Sequence, residues 1–446
     1  MAEKLVIVGA GVAGVNTATK LIDNGFPGEN ITIIDMGKDP YNRPYSEVMT
    51  GFLGAGGWSD GKLTYHTAIG GHMAKYCGEE KAMELFDEVI SNFKRFHPKP
   101  EEVQCSDPQA EPDFIKPYFG LRLFPVWHVG TDYLHEIGKN WYNFLVENGV
   151  KFHWETKVDE IWFEDDKLMA DNGSNPYFIN YDRLMFAVGK SGIDFGKKLA
   201  DKYSLPTEPK PVQVGIRFEA PQKHFQKLID ISYDFKLYRK FEEGVSLRSF
   251  CTNNNAAYVA VEETYGDHSY NGHAKKDEAF RNDMTNFGIL MEIPGIEEPF
   301  AWSRELVSKV NKDGTGLYYS PTRSPSTTSE GEDVSAVVID STQMDEVRDA
   351  FHGYYKYIDD FIDDMKKVFP TLGDDWGVYV PEVKYLSPEP LVDYNTLSLN
   401  DYSNIHFVGD ALSARGITVS GAQGIYVAES ILKFDQKEYP DFHEHF

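Results

Sequence analysis

Residues 4–14 read Lys-Leu-Val-Ile-Val-Gly-Ala-Gly-Val-Ala-Gly, and few folds tolerate that opening. An apolar run over 5–8 predicts a buried strand. Gly9, Gly11 and Gly14 then make a Gly-x-Gly-x-x-Gly turn. In such a turn the first glycine permits the sharp reversal. The second lets a phosphate approach the backbone, and the third lets helix and strand pack closely. Ala13, Thr17, Leu21 and Ile22 predict the helix that follows, and Gly25 its stop. Ile31, Ile33 and Ile34 predict a second parallel strand, and Asp35 lies about 20 positions beyond Gly14, where an acid reaches ribose hydroxyls. The helix N-terminus adds free N–H groups and the positive end of a dipole. The expected ligand is a dinucleotide.

The chain has 446 residues, enough for two domains or one nested unit. Lys and Arg number 44 against 70 Asp and Glu, a net charge of −26, which opposes general attraction to nucleic acid and anionic lipid. No apolar run is long enough to span a bilayer. The first strand begins at once, so no signal peptide is expected. Cys77, Cys105 and Cys251 are widely spaced, with neither a redox pair nor metal-ligand spacing. A cytoplasmic location and no metal follow as expectations.

Helices are expected over 79–95, 131–147, 354–368 and 418–434, and strands over 151–189. Runs such as 212–219, 257–262 and 334–339 predict a second domain on an antiparallel sheet, interrupted by a polar loop at 311–333. The expected fold class is α/β: a Rossmann-like nucleotide-binding domain over 1–204 and 375–446, with an inserted, mainly antiparallel-sheet substrate domain over 205–374. Near the C-terminus a strand, Asn404-Ile-His-Phe-Val, ends in Gly409-Asp410 and opens into a helix after Arg415-Gly416-Ile417. An aspartate there suits ribityl hydroxyls, and the helix N-terminus suits the pyrimidine edge of a flavin. A plain NAD dehydrogenase needs no such returning strand, so FAD is the expected cofactor. A strand–turn–helix with a merely capping aspartate is the blander alternative.

The residues quoted so far resemble the FAD-dependent dehydrogenases of the FAD/NAD(P)-binding Rossmann superfamily. The likeness extends to Gly54-Ala-Gly-Gly-Trp-Ser-Asp-Gly-Lys-Leu63, Val129-Gly-Thr-Asp132, Gly215-Ile-Arg-Phe-Glu219, Phe250-Cys-Thr-Asn253, Asn271-Gly-His273, Thr285-Asn-Phe287 and Pro381-Glu-Val-Lys384. The resemblance implies an FAD fold with an inserted substrate domain, and no particular substrate. Many members carry cysteines between the second strand and the Ser-Asp-Gly-Lys block, whereas residues 36–58 here hold none.

Expected cofactor contacts are Gly9, Gly11, Val12, Ala13, Gly14, Asp35, Met36, Arg43, Gly57, Ser59, Asp60, Lys62, Val158, Ala187, Gly189, Gly409, Asp410, Arg415, Gly416 and Ile417. Lys62, His128 and His273 are the catalytic candidates. Lys62 suits proton transfer near flavin N5, or simply phosphate binding. His128 suits acid–base work because an imidazole titrates near neutrality, or serves only as a structural hydrogen-bonding group, and His273, after Asn271-Gly272 in the inserted domain, is placed to face substrate. Arg217 and Arg248 suit an anionic substrate or plain ion pairs. Cys251 reads as a small hydrophobe rather than a nucleophile.

The expected activity is hydride transfer between a small organic substrate and flavin N5, with an unidentified electron partner. A flavin-dependent lyase or tailoring enzyme acting on an amine or a modified nucleotide or base is the first alternative. A non-enzymatic flavoprotein is the second.

Overall fold

The computed structural model describes residues 3–44, 47–108, 111–275, 277–327, 334–386 and 388–438. The chain divides into two compact units. One comprises Met1–Gln104, Tyr133–Pro209 and Ser387–Phe446; the other comprises Cys105–Asp132 and Lys210–Leu386.

The first unit is built on a six-stranded sheet. Its order is Ser398–Leu399, Tyr402–Phe407, Arg183–Phe186, Leu5–Val8, Ile31–Ile34, Lys151–His153. All neighbours are parallel except the short edge strand Ser398–Leu399. Leu5, Ile7, Ile33, Leu184 and Ile405 are completely buried or nearly so, as expected for a parallel sheet covered on both faces. Leu5–Val8 pairs with Ile31–Ile34 on one side and Arg183–Phe186 on the other. Its C-terminal end is therefore the point where strand order reverses, the place where open α/β sheets bind ligands.

Two helices lie together beneath that point. Val12–Asp23 packs on Ile417–Glu438 closely enough for the Thr17 hydroxyl to donate to the Gly424 carbonyl at 2.8 Å. Glu79–Phe96 presents Leu85, Phe86, Val89, Ile90 and Phe93 to the core, the stripe its period predicts. Leu134–Glu147 buries Leu134, Ile137, Trp141 and Leu145, following a single 3₁₀ turn over Thr131–Tyr133.

The second unit carries an eight-stranded sheet centred on Val212–Pro221, which pairs antiparallel with Met284–Ile293 and Gly377–Lys384. Its far edge is Gly120–Leu123, hydrogen-bonded to Phe235–Lys240. These two pairings account for the difference from the expected boundaries. Residues 105–132 and 375–386 were expected in the nucleotide-binding domain and instead belong to the second unit, whose sheet their strands complete, while 205–209 were expected in the inserted domain and belong to the first. The stretch expected as an open loop contains the strand Leu317–Tyr319, and residues 328–333 lie outside the described ones. Ser320, Thr322 and Ser326 fasten that stretch to Trp376, Asp374 and Tyr379, so its described portion is strapped to the sheet.

Arg217 is fully buried and does not have the exposure an anion-binding side chain needs. Its guanidinium donates to Asn286 Oδ1 and the Cys251 carbonyl, and faces Glu382 at 3.4 Å. Cys251 is half-buried, with φ +49° beside a register shift, and its carbonyl accepts from Arg217. Arg248 lies near Glu292 at 4.0 Å, on a half-exposed side chain.

Glu219, one residue pair along the same strand, is also buried; its Oε1 accepts from Ser326 and its Oε2 has no partner. Burial pushes its carboxyl up to about 7, against the pull of Ser326, Arg323 and Arg217. In the unfolded chain the group ionises first, so the native state holds the extra proton between the two values. Stability from this group is full below about pH 4.5 and is lost as pH rises through about 7. Glu219→Gln is therefore expected to gain roughly 2 kcal/mol on the wild type between about pH 5 and pH 8 in urea unfolding. A pH-independent difference between the two proteins would refute this.

Candidate functional site

The strand Leu5–Val8 ends in Gly9, whose N–H donates to the Ile34 carbonyl at 2.8 Å. Gly9 has φ +112°, a value open to glycine and strained for other residues. Gly11 is the N-cap of the first helix and has no side chain to satisfy the amides of the first turn. The first intrahelical bond is Val15 N–H to the Gly11 carbonyl, so the amides of Val12, Ala13 and Gly14 face outward from the helix end. A Cβ on Gly11 would meet nothing within 4 Å, whereas one on Gly14 would collide with the Gly9 carbonyl and come within 2.9 Å of Ile7 Cγ2. Open space thus stands in front of Gly11, while Gly14 is closed by packing. This is the arrangement a pyrophosphate cradle requires.

The late turn arrives beside it. Val408 N–H donates to Phe186 O and Ala187 N–H to Val8 O, so both strand ends are tied to the first. A Cβ on Gly409 would lie 3.8 Å from Ala13 Cβ, and one on Gly189 would lie 4.0 Å from Asp410 Oδ2. Gly9–Gly14, Ala187–Gly189 and Gly409–Asp410 therefore border one crevice. The helix Ile417–Glu438 begins here, with its first intrahelical bond from Ser420 N–H to Gly416 O. Thr418 is buried in its first turn, and its hydroxyl has no partner. A second helix N-terminus and an orphaned hydroxyl suit a polar ring edge carrying developing negative charge.

Asp35 sits at the end of its strand, as its position predicts, but its carboxylate is already engaged. Oδ2 accepts from Ala10 N–H, and Oδ1 accepts from Gly37 and Gly51 N–H, each at 2.8 Å. The residue binds the glycine turn to the 37–54 loop as well as bordering the crevice. Val158 is buried two positions past Thr156, whose N–H donates to the Asp35 carbonyl, and Met36 is half-exposed next to it.

Arg43 proves to be a loop organiser. Its guanidinium donates to the carbonyls of Glu47, Val48, Phe52 and Gly54 at 2.6–2.9 Å, and it stands 5.4 Å from the Trp58 ring. Burial lowers its pKa to about 10 despite the nearby Asp35 and Glu47 carboxylates. Trp58 in turn stacks on His135, with centroids 5.7 Å apart. Gly57 lies under this group, where a Cβ would come 3.1 Å from Arg43 Nη1. Lysine offers one point charge in place of a planar fork. Arg43→Lys is thus expected to cost about 2 kcal/mol in thermal unfolding, by stranding buried carbonyls. An unchanged melting temperature would contradict that role.

Lys62 is buried and paired with Asp60 at 2.8 Å, and the Asp60 side chain also accepts from Lys62 N–H. Ser59 Oγ donates to Gly56 O and accepts from Gly61 N–H, fixing the turn that presents them. Arg415 is paired with Asp410 at 2.6 Å, so the turn carries a neutral ion pair. His128 and His273 are in the second unit. His128 packs against Tyr233 at 5.3 Å, and His273 lies opposite Tyr258 in a hairpin. Lys62 thus belongs to the same unit as the glycine turns, and the two histidines to the other.

Two contributors escaped the sequence reading. Gln423 is fully buried and accepts from Gly409 N–H at 2.8 Å, closing the late turn. Gly70 accepts from Arg415 N–H at 2.6 Å. The concentration of glycines over 51–71 was a signal for the second; a glutamine inside a helix gave none for the first. Among the described residues, no group of three or more His, Cys, Asp or Glu side chains suits a metal ion, and no helix is long and apolar enough to cross a membrane.

No family model matches the chain. An uncharacterized protein of Clostridium beijerinckii is 28% identical over 231 residues, covering 49% of this chain and 36% of that protein, so the match spans about a third of the relative's length. Among solved structures, the chain is similar to a flavoprotein/dehydrogenase from Cytophaga hutchinsonii (TM-score 0.43, 13% identity, 99% of this chain and 82% of that one). It is also similar to the halogenase PltM in complex with phloroglucinol and FAD (0.45, 12%, 98% and 70%). A glycine oxidase from Bacillus cereus gives 0.44 at 11% identity, over 98% and 97% of the two chains. These scores all lie below 0.5 and by themselves settle neither the fold nor the chemistry of this chain.

Proposed function

We propose that the chain is an FAD-dependent oxidoreductase that moves a hydride between a small organic substrate and flavin N5. The supporting observation is the meeting of two glycine turns, Gly9–Gly14 and Gly409–Asp410, on one crevice at the strand-order switch. FAD when bound supplies the two-electron chemistry.

The protein's own residues bind and orient. The amides of Val12, Ala13 and Gly14 take the pyrophosphate, and Asp35 holds the adenosine end of the crevice in shape. Asp410, held by Arg415, takes ribityl hydroxyls. Thr418 and the N-terminus of its helix stabilise negative charge on the pyrimidine edge. Lys62, paired with Asp60, would hold or pass a proton at Nζ when the cofactor is bound. The substrate is a small molecule in this reading and the electron partner is unidentified; no membrane partner is proposed, the net negative charge opposes a nucleic-acid one, and the protein works in the cytoplasm.

The deciding experiment is mass spectrometry of cofactor released from purified protein, followed by anaerobic screening of metabolites for bleaching of the yellow colour. Released FAD and a metabolite that bleaches it, with recovery in air, are the expected results. Product formation with flavin oxidised throughout would move the enzyme to the lyase or tailoring class. Colourless protein that refuses added FAD would end the proposal.

A further inference from the structure

The second unit holds a hydroxyl, an imidazole and a carboxylate in line, on elements that the cofactor chemistry does not use. His224 closes the 3₁₀ turn Gln222–His224 that follows the central strand. Thr371 and Asp375 lie in the turns between the helix Tyr355–Val368 and the strand Gly377–Lys384. His224 Nε2 stands 3.0 Å from Asp375 Oδ2, and its Nδ1 stands 3.0 Å from Thr371 Oγ1. The imidazole is buried, Asp375 is half-buried and Thr371 is exposed. The alignment is held by packing, since Phe225, next to His224, meets Phe369 at 4.8 Å.

The direction of the hydrogen bonds follows from chemistry. Asp375 accepts from Arg323 at 2.7 Å as well, and His224 and Arg323 together hold its carboxyl below the usual range. An ionised carboxylate only accepts, so the imidazole proton is on Nε2. With a single proton on the ring, the lone pair is on Nδ1, and the Thr371 hydroxyl donates to it. A nucleophile within reach of a base, and a base oriented by a third group, is the arrangement that activates a hydroxyl.

We propose that Thr371, with His224 as base and Asp375 as the residue positioning it, is a nucleophilic site for activated carboxylic esters. In the acylation step a bond forms between Thr371 Oγ and the acyl carbon, and the ester C–O bond breaks. The hydroxyl proton passes to His224 Nδ1 and then to the departing alkoxide. Water, activated in the same way, then cleaves the acyl-threonine, returning the hydroxyl and releasing the acid.

The test uses the full-length protein and p-nitrophenyl acetate, read by intact mass and by mapping of the acetylated peptide. Acetylation on Thr371 is expected, retained at residue 371 in Thr371→Ser and absent in Thr371→Val. His224→Gln should slow it about 100-fold or more and flatten the pH dependence of the labelling rate. Flavin content and melting temperature of Thr371→Val should be unchanged, since the side chain is exposed. No adduct at Thr371 in the wild type would overturn the proposal, as would wild-type labelling rates with a folded His224→Gln. Adducts confined to exposed lysines such as Lys223 would do the same.

Discussion

Gly11→Val is expected to yield a folded, colourless protein. The glycine has φ −70°, which any residue adopts, and a Cβ there meets nothing within 4 Å. Nothing in the folded chain therefore resists the substitution, and glycine-to-alkyl changes at an N-cap cost only tenths of a kcal/mol to about 1 kcal/mol. The branched side chain instead fills the space in front of the Val12–Gly14 amides, where the pyrophosphate would lie. Affinity for FAD should fall at least about 100-fold, roughly 3 kcal/mol. Gly14→Ala is the opposite case. Its methyl group is driven into the Gly9 carbonyl and Ile7, so it should lose roughly 2 kcal/mol or more of stability even without cofactor. Isothermal titration with FAD and urea unfolding of the apo-proteins separate the two. Gly11→Val that retains wild-type flavin content would place the phosphates elsewhere.

Asp35→Ala should be damaging before any cofactor is added. Three buried amides, those of Ala10, Gly37 and Gly51, would lose a charged acceptor at once. Each stranded donor costs about 1–3 kcal/mol, so a total near 3–5 kcal/mol is expected once neighbouring water relieves some of it. Asparagine is not a mild replacement. Its NH2 group must face either the Ala10 N–H or the Gly37 and Gly51 pair, donor against donor. Urea unfolding of apo-protein is the measurement. Apo-protein of wild-type stability would return Asp35 to the simpler role its position suggests, that of a ribose ligand alone.

The nucleotide-binding half was legible because its signals are local. A strand, a glycine turn, a helix and a second strand follow one another within 35 residues, and each has its own period or stop. The long helices Glu79–Phe96, Leu134–Glu147 and Tyr355–Val368 were legible for the same reason. Domain limits were not. Whether Gly120–Leu123 joins one sheet or another depends on its partner, Phe235–Lys240, more than 110 residues away. Arg217 illustrates the same limit: it looked available for an anionic substrate until its strand was seen to bury it against Glu382.

By itself the sequence determined the nucleotide turn, its helix and the parallel strands, because backbone geometry at Gly9–Gly14 and apolar periodicity are properties of neighbours in the chain. The tertiary structure alone decided what the polar side chains do. Asp35 became a clamp on three amides, Arg43 a clamp on four carbonyls, Arg415 the counter-ion of Asp410, and Gln423 the latch of the late turn. A hydrogen bond depends on atoms within about 3 Å, and spacing in the sequence does not say which of the nearby amides, carbonyls and charges the folded loops bring that close.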